Sequence, residues 1–216
     1  MNTAAKRGRF VTIEGGEGAG KSTQTAALVA WLRGRGVDAV TTREPGGAPG
    51  ANEIRALLVT GAIDRWSPVT ELLLHFAART EHLARTVRPA LERGAWVVCD
   101  RFADSTMAYQ GYGHGLGREP VEAVAGAAIG DFVPDLTLLL DAPIEIGLKR
   151  TDDRPHAENR YERMDPDFHR RVREGFLDIA AREPQRVVVI DATEDQERVA
   201  AALRRAVEDR LGGDLP

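Results

Sequence analysis

The stretch FVTIEGGEGAGKST, residues 10–23, decides the fold class of this chain. It begins with a largely apolar run of strand length and continues into the phosphate-loop pattern G-x-x-x-x-G-K-[ST]. In such a loop, backbone N–H groups surround phosphate oxygens, the lysine reaches the β and γ phosphates, and the serine hydroxyl ligates Mg²⁺. The residues predicted to bind the phosphates of a nucleoside triphosphate are Gly15, Gly16, Glu17, Gly18, Ala19, Gly20, Lys21 and Ser22.

The context of the loop supports this interpretation. Residues 10–13 are predicted to form a buried strand, and helix-forming residues follow from Ser22 to about Gly34. The N-terminus of that helix adds a partial positive charge to the phosphate site. A glycine-rich turn without function is the alternative, but it does not require Lys21 and Ser22 in register.

The composition indicates a folded globular protein of 216 residues, 43% of them hydrophobic, with a formal net charge of −4. This length suits one α/β domain, and the charge argues against nucleic acid or an anionic membrane as a partner. The single cysteine, Cys99, follows an apolar run, which predicts a buried thiol in a reducing compartment. Residues 1–9 lack the apolar stretch of a signal peptide, and no segment reaches membrane-spanning length. We therefore expect a cytoplasmic protein.

Strand-length apolar runs alternate with helical patterns along the chain. Further strands are predicted at residues 37–42, 96–100, 136–141 and 186–191, and further helices at 70–93, 119–129, 144–149, 168–182 and 195–210, with Pro89 starting a new turn or kinking the first of these. Right-handed crossovers then predict an α/β fold of the three-layer, doubly wound type, with a five-stranded parallel sheet flanked by helices. Ligands bind such sheets at the carboxyl ends of the strands. Without repeats or a linker, residues 1–216 are predicted to form a single domain.

Charged residues follow two of the predicted strands. Asp100 ends the strand at 96–100, as a carboxylate partner of the Mg²⁺ would. Arg101 comes next, and Arg43 follows the strand at 37–42. Two guanidinium groups at one sheet edge are what a second phosphorylated ligand requires. The alternative for either arginine is an ordinary surface ion pair.

Residues 151–165 are rich in charge, contain Pro155 and have little to bury, which predicts a mobile surface loop or lid. Four arginines lie in or beside it: Arg150, Arg154, Arg160 and Arg163. A mobile arginine that closes over a transferred phosphoryl group stabilises its charge. A solvated charged loop is the alternative.

Together these motifs resemble those of bacterial thymidylate kinases. The resemblance is carried by GGEGAGKS at 15–22, TREPGG at 42–47, DRF at 100–102, ST at 105–106 with YQG at 109–111, and PDLT at 134–137. It is ordered and runs from residue 10 to about residue 206. It implies a homodimeric enzyme that transfers the γ-phosphate of ATP to dTMP, with Mg²⁺, and produces dTDP for dTTP biosynthesis.

The resemblance also implies a role for individual residues. Lys21, Arg101 and Arg154 would be catalytic, and Ser22 and Asp100 would hold the metal. Glu17 would accept a hydrogen bond from the sugar 3′-hydroxyl, while Arg43 and Arg101 would hold the monophosphate. Arg79 would reach a carbonyl of thymine, with Thr106 and Gln110 completing the base pocket. The phosphate loop has no arginine at Gly18-Ala19, in keeping with a cation supplied by the lid.

One position departs from the family pattern. Four residues before Arg79, where many members have a phenylalanine that stacks on thymine, this chain has His75, and Phe76 follows it. Either His75 provides the stacking face, or a local adjustment brings Phe76 to it, or His75 is an ordinary packed helix residue.

Three other functions compete with this hypothesis. A related kinase for another monophosphate shares the fold and the loop, and a substrate panel separates the two. A GTPase switch requires an Asn-Lys-x-Asp motif, which this sequence lacks. An ATP-driven partner-binding module would hydrolyse ATP without a nucleotide acceptor.

Overall fold

The computed structural model describes residues 7–152 and 160–216. Its centre is a sheet of five parallel strands in the order β2-β3-β1-β4-β5. The strands are β1 (Phe10–Gly15), β2 (Ala39–Arg43), β3 (Trp96–Asp100), β4 (Leu136–Asp141) and β5 (Val187–Asp191). The five predicted strands are therefore confirmed, with ends that differ by at most two residues.

Nine α-helices connect or flank these strands within the described part of the chain. They are α1 (Lys21–Gly34), α2 (Pro49–Val59), α3 (Pro68–His82), α4 (Arg88–Glu92), α5 (Ala103–Thr106), α6 (Arg118–Ile129), α7 (Ile144–Asp152), α8 (Pro166–Arg182) and α9 (Gln196–Leu211). Two π-helical segments, Leu83–Val87 and Met107–Gly113, continue α3 and α5, and 3₁₀ turns occupy Arg160–Arg163 and Gly212–Asp214. No described helix is both long and apolar enough to cross a membrane.

Helices cover both faces of the sheet, which explains why the central strands β1, β3 and β4 are buried almost throughout, whereas the edge strands β2 and β5 are partly exposed. Alternate residues of β1 belong to separate cores: Phe10 packs with residues of α3, α6 and α8, whereas Val11 and Ile13 pack with residues of α1 and α9. Cys99 is fully buried in the first core, as predicted, and burial raises the pKa of its thiol well above the ordinary value. The predicted three-layer fold is thus confirmed.

The strand order creates a crevice at the carboxyl ends of β1 and β3. These strands are neighbours, but the chain runs from β1 to β2 on one side of the sheet and from β3 to β4 on the other. The two connections therefore diverge, and the loops after β1 and β3 border an open space between them. The loop after β1 is the phosphate loop, and the loop after β3 begins with Arg101.

Two stretches of α- or π-helix were not predicted: α2, and α5 together with the π-helical segment Met107–Gly113 that continues it. α2 buries only Ala51 and Leu58, so its sequence shows little apolar periodicity, although Pro49 in its first turn is a recognised helix-start signal. The segment Met107–Gly113 includes Gly111 and Gly113, and a Cβ at Gly113 would lie 2.7 Å from the Phe168 ring. Close packing against α8 requires glycine here, and glycine weakens a helical pattern in the sequence.

In its C-terminal part, the segment 151–165 differs from the surface loop that the sequence predicts. Arg160 is completely buried and Tyr161 is 5% exposed. The expectation that this segment has little to bury is therefore wrong at these two residues. The reason is that Arg160 donates hydrogen bonds to the carbonyls of Leu58 and Ile63 and pairs with Glu71, so its charge is neutralised inside the protein.

Candidate active site

A cavity of about 540 Å³ opens at the crevice between β1 and β3. Most of the predicted site residues line it, although they come from five separate segments of the chain. The predicted residues that line the cavity are Glu17, Gly18, Gly20, Lys21, Ser22, Arg43, His75, Arg79, Asp100, Arg101, Thr106 and Gln110. Gly15, Gly16 and Ala19 border a smaller pocket on the other side of the phosphate loop, beside α7 and α8.

The phosphate loop has the backbone that its glycines allow. Gly18 and Gly20 have φ values of 67° and 88°, which side chains rarely adopt. Gly18 also packs against Gly147 of α7, where a Cβ on Gly18 would lie 1.9 Å from the Gly147 carbonyl oxygen. The loop is therefore held in place by the helix that leads toward residues 153–159.

Lys21 lies at the first position of α1, with its ammonium group folded over the loop. Its Nζ donates a hydrogen bond of 2.6 Å to the Gly16 carbonyl. Burial and the neighbouring Arg101 lower the pKa of Lys21 to about 8, against the attraction of Glu17 and Asp100. Within the described residues the bond to Gly16 is the one hydrogen bond that Nζ donates, and a buried cation with donors to spare is well suited to an anionic ligand.

Ser22 and Asp100 meet at the mouth of the cavity. The Ser22 hydroxyl donates a hydrogen bond of 2.6 Å to Asp100 Oδ2. A hydroxyl and a carboxylate oxygen in contact are the hard donors that Mg²⁺ prefers. Among the described residues no three His, Cys, Asp or Glu side chains are grouped as a metal site.

Glu17 is held by two side chains from the segment after β3. Arg101 Nη2 donates to Glu17 Oε1 over 2.9 Å, and the Tyr109 hydroxyl donates to the same oxygen over 2.8 Å. Burial alone would raise the pKa of Glu17, but the charges of Arg101 and Lys21 outweigh it and bring the pKa to about 2. Glu17 is therefore an ionised acceptor at the centre of the cavity.

Three arginines border the same part of the cavity: Arg43, Arg55 and Arg101. Arg101 has φ 70°, an unusual backbone for arginine, and it also donates to the Gly15 carbonyl. Arg55 comes from α2, and its Nη1 donates to the Pro45 carbonyl over 2.8 Å. Burial and the nearby Arg43 lower the pKa of Arg55, a sign that the positive charges are crowded. A phosphate group between them would relieve this repulsion.

Arg79 and Gln110 border the opposite end of the cavity. Arg79 is 2% exposed and donates hydrogen bonds to Glu44 over 2.7 Å and to Thr106 Oγ1 over 3.0 Å. Gln110 is fully buried and donates from Nε2 to Glu71 over 2.8 Å. Two buried atoms of these side chains, Arg79 Nη1 and Gln110 Oε1, have no hydrogen-bond partner among the described residues.

His75 and Phe76 lie in different surroundings. His75 lines the cavity, and its Nε2 is 2.9 Å from the Tyr161 hydroxyl. Burial lowers the pKa of His75 to about 3, so the ring is neutral at neutral pH. Phe76 is 2% exposed, belongs to the core, and has the Arg79 guanidinium 4.7 Å from its ring centre. Of the two, only His75 presents its ring to the cavity.

The arginines in and near the predicted lid are arranged unequally. Arg154 lies outside the described residues. Arg150 donates to the Ala192 carbonyl over 3.2 Å, Arg163 donates to the Gly61 carbonyl, and Arg160 is buried against Glu71.

Several residues of the site were not given a role from the sequence: Glu14, Glu44, Arg55 and Glu71. Arg55 lies on the helix that the apolar pattern did not reveal. Glu14 is buried at the end of β1, accepts hydrogen bonds from the Phe102 backbone and Ser105, and so holds the turn that carries Arg101. Burial and the charge of Asp104 raise the pKa of Glu14 to about 8. An acidic residue inside an apolar strand is the signal that could have found it.

A doubly wound sheet with a phosphate loop, opening on a cavity with a second set of arginines, defines a P-loop phosphotransferase with a separate acceptor site. The comparisons agree: the thymidylate kinase family model matches residues 13–203. A thymidylate kinase of Caulobacter vibrioides is 53% identical over 206 residues, covering 95% of this chain and 99% of that protein. One from Rhizorhabdus wittichii is 50% identical over 205 residues, covering 94% and 99%.

A solved structure agrees with these sequence matches. The crystal structure of thymidylate kinase from Ehrlichia chaffeensis superposes with a TM-score of 0.76 at 33% identity, covering 93% of this chain and 99% of that one. The chain belongs to the thymidylate kinase family. The prediction of a nucleoside monophosphate kinase that converts dTMP to dTDP, with ATP as the phosphoryl donor, is thereby confirmed.

Proposed function

We propose that the cavity binds ATP phosphates at the phosphate loop and dTMP in the remaining space, and that it performs in-line phosphoryl transfer between them. The observation that carries this proposal is the pair of buried, unpartnered atoms Arg79 Nη1 and Gln110 Oε1, neither of which has a partner in the described structure. One is a donor and the other an acceptor. Leaving such atoms buried is costly unless a ligand satisfies them.

The pyrimidine edge of thymine has a matching pattern. Its O4 carbonyl accepts a hydrogen bond and its adjacent N3–H donates one. Arg79 Nη1 can donate to O4 and Gln110 Oε1 can accept from N3–H. Thr106 supports this arrangement by accepting from Arg79, and the neutral ring of His75 provides a stacking face for the base.

The rest of the acceptor nucleotide fits the charged end of the cavity. Arg43, Arg55 and Arg101 are positioned for the monophosphate, where a bidentate guanidinium contact orients the attacking oxygen. Glu17, ionised and held by Arg101, can accept a hydrogen bond from the sugar 3′-hydroxyl.

At the donor end, residues 15–22 would surround the ATP phosphates, with Lys21 stabilising the charge that develops in the transition state. Ser22 and Asp100 fit Mg²⁺ because both offer oxygen donors at one point. When bound, Mg²⁺ neutralises charge on the β and γ oxygens. Arg154 would supply a further cation, since the phosphate loop has none at Gly18-Ala19.

A coupled ADP-release assay with a panel of nucleoside monophosphates tests the acceptor assignment. We expect dTMP to be the best substrate and dUMP to be slower yet measurable, because one methyl group in an apolar pocket is worth about 1–3 kcal/mol. A preference for a purine monophosphate would contradict the assignment. Ser22→Ala and Asp100→Asn should raise the Mg²⁺ concentration needed for half-maximal rate, and an unchanged Mg²⁺ dependence would remove them from the metal site.

We further propose that the chain forms a homodimer through an apolar groove between α3 and α6. The groove is lined by Leu73, Phe76, Ala77, Thr80, Ala123, Val124, Ala127 and Ala128, and Leu73 is 53% exposed at its edge. An exposed apolar groove of this kind commonly marks an association surface. Leu73→Glu should give a monomer in sedimentation experiments, whereas Val133→Glu, at another exposed position, should not. If both variants were monomeric, or if neither were, the groove between α3 and α6 would not be the dimer interface.

We also propose that residues 1–216 act as a single kinase domain with a lid at 151–165 that is anchored to the domain by the buried residues Arg160 and Tyr161, and that the protein works in the cytoplasm. A reduced, buried Cys99 and the use of ATP support that location. Cell fractionation tests it, and recovery outside the cytoplasmic fraction would contradict it.

A further inference from the structure

Among residues 7–152 and 160–216, Glu71 is the one side chain that hydrogen-bonds the Gln110 amide and so sets its orientation. Gln110 Nε2 donates to Glu71 Oε1 over 2.8 Å, and Gln110 is completely buried. An amide has a donor end and an acceptor end, so fixing one end fixes the other. With the nitrogen on Glu71, the oxygen Oε1 is the atom left without a partner in the described residues.

Glu71 can act only as an acceptor in this position. Burial would raise the pKa of Glu71, but its close contacts with the His114 ring and the Arg160 guanidinium outweigh burial and lower the pKa to about 2. Arg160 contacts Oε2, and His114 Nε2 lies 3.0 Å from Oε1. The carboxylate is therefore ionised and surrounded by donors. A flipped Gln110 would place its oxygen against that carboxylate, where two acceptors repel.

We infer that Glu71 is a positioning residue for base selection: it locks the Gln110 amide with the oxygen toward the cavity, so that the pocket accepts a pyrimidine with N3–H and rejects one with a bare N3. This inference rests on the proposed assignment of Gln110 to the base. Glu71 does not touch the substrate and acts only through Gln110.

The chemistry of the two pyrimidines explains the selection. Thymine and uracil have a donor at N3 and an acceptor at O4, whereas cytosine has an acceptor at N3 and a donor at the 4-amino group. Gln110 Oε1 pairs with the first pattern and faces a lone pair in the second. A site built for one hydrogen-bond pattern rejects the other because its buried atoms stay unpaired.

Glu71→Gln tests the inference, because glutamine can donate to a flipped Gln110 as readily as it accepts from the unflipped one. We expect the kcat/KM ratio of dTMP over dCMP to narrow by about tenfold, mainly through a gain with dCMP, while KM for ATP stays unchanged. Arg79 still disfavours cytosine, so discrimination should narrow and not vanish. If the ratio is unchanged while stability falls, Glu71 is only a structural ion-pair partner.

Arg160→Met is the matched control. It breaks the same buried ion pair but keeps the carboxylate facing Gln110 at an assay pH above the pKa of Glu71, so at alkaline pH it should lower the melting temperature without changing the ratio of kcat/KM for dTMP to that for dCMP. If Glu71→Gln alone does not fold, Glu71→Gln/Arg160→Met leaves no unpaired charge from this pair and should show the same narrowing. An unchanged ratio in that double variant would overturn the inference.

The variant Gln110→Leu distinguishes the positioning role of Glu71 from the proposed contact between Gln110 and the base. If Gln110 reads the base, this variant raises KM for dTMP and changes the dTMP-to-dCMP ratio. A Gln110→Leu enzyme with ordinary values would overturn the placement of Gln110 in the base pocket. If Gln110→Leu changes the dTMP-to-dCMP ratio of kcat/KM but Glu71→Gln does not, the positioning role of Glu71 is overturned and the placement of Gln110 in the base pocket stands.

Discussion

Arg101 Nη2 donates a 2.9 Å hydrogen bond to Glu17 Oε1, and its guanidinium carbon lies 4.9 Å from the centre of the Tyr109 ring. This contact joins the loop after β3 to the phosphate loop after β1, so the two connections that diverge from the crevice are tied across it. It also means that Glu17 has a structural partner before any substrate binds. A test of Glu17 in substrate binding must therefore distinguish that role from its structural role in holding Arg101.

The first prediction addresses the sugar. A 3′-deoxy analogue of dTMP should be phosphorylated more slowly than dTMP, because the desolvated Glu17 carboxylate loses a donor worth about 1–3 kcal/mol, or roughly 5–150-fold in kcat/KM. The difference in kcat/KM between dTMP and its 3′-deoxy analogue should be smaller in Glu17→Gln and Glu17→Ala. Tyr109→Phe is the control, since it removes a hydrogen bond to Glu17 but keeps the carboxylate. Equal losses on both sugars in the Glu17 variants would leave Glu17 with the structural role alone.

The second prediction concerns Lys21. Lys21→Ala should collapse kcat far more than it weakens dTMP binding, because the interaction lost is one made to developing charge. A variant with near-normal turnover would remove Lys21 from catalysis.

The pKa of Lys21 makes a related pH prediction. The free enzyme loses the lysine proton as pH rises through about 8, so kcat/KM for ATP should fall above that pH. The free energy of unfolding should instead increase as the pH rises above about 8. Because the folded-state pKa lies below the ordinary 10.5, the unfolded chain holds more protons between about pH 8 and 10.5, and stability rises with pH over that interval. Lys21→Met should reduce this rise in urea denaturation measured across the interval, and an unchanged slope would contradict the lowered pKa.

The third prediction concerns the arginine supplied near the lid. Arginine fingers contribute about 10³-fold or more in kcat, so Arg154→Ala should be far less active than Arg163→Ala. Arg163 is a suitable control because it is exposed and bonds only a carbonyl among its described hydrogen bonds. Loss at Arg150 instead of Arg154 would mean that the motif is out of register, and equal mild losses would favour a solvated loop. A loss of folding at Arg160 would reflect its burial.

The fourth prediction concerns Arg55, which the structure places beside Arg43 and Arg101. Arg55→Ala should raise KM for dTMP by about tenfold and leave KM for ATP unchanged, since a charge-assisted hydrogen bond to phosphate is worth about 1.5–3 kcal/mol. Arg65→Ala is the matched control, because Arg65 lies outside the cavity against Trp66. Similar KM values for dTMP in the two variants would remove Arg55 from the monophosphate site.

Local patterns in the sequence were sufficient for the sheet and the phosphate loop. The central strands β1, β3 and β4 are buried on both faces almost throughout, so their apolar runs are visible without knowledge of their neighbours. The loop glycines are required by backbone geometry within a few residues, and Asp100 and Arg101 follow directly from the end of a strand. These features depend on interactions close in the chain, which is why residue types and spacing reveal them.

The tertiary structure alone decided how the rest of the site is connected. Arg55 lies on a helix with only two buried residues, and Glu71 meets Gln110 across 39 positions and Arg160 across 89. No periodicity records that a carboxylate and a distant guanidinium share one buried space. The same applies to His75 and Phe76, which are adjacent in sequence but are separated by the helical rotation of about 100° between neighbours, so that one faces the cavity and the other the core. Packing between segments that are distant in sequence determines these arrangements, because burial and ion pairing are properties of the assembled fold.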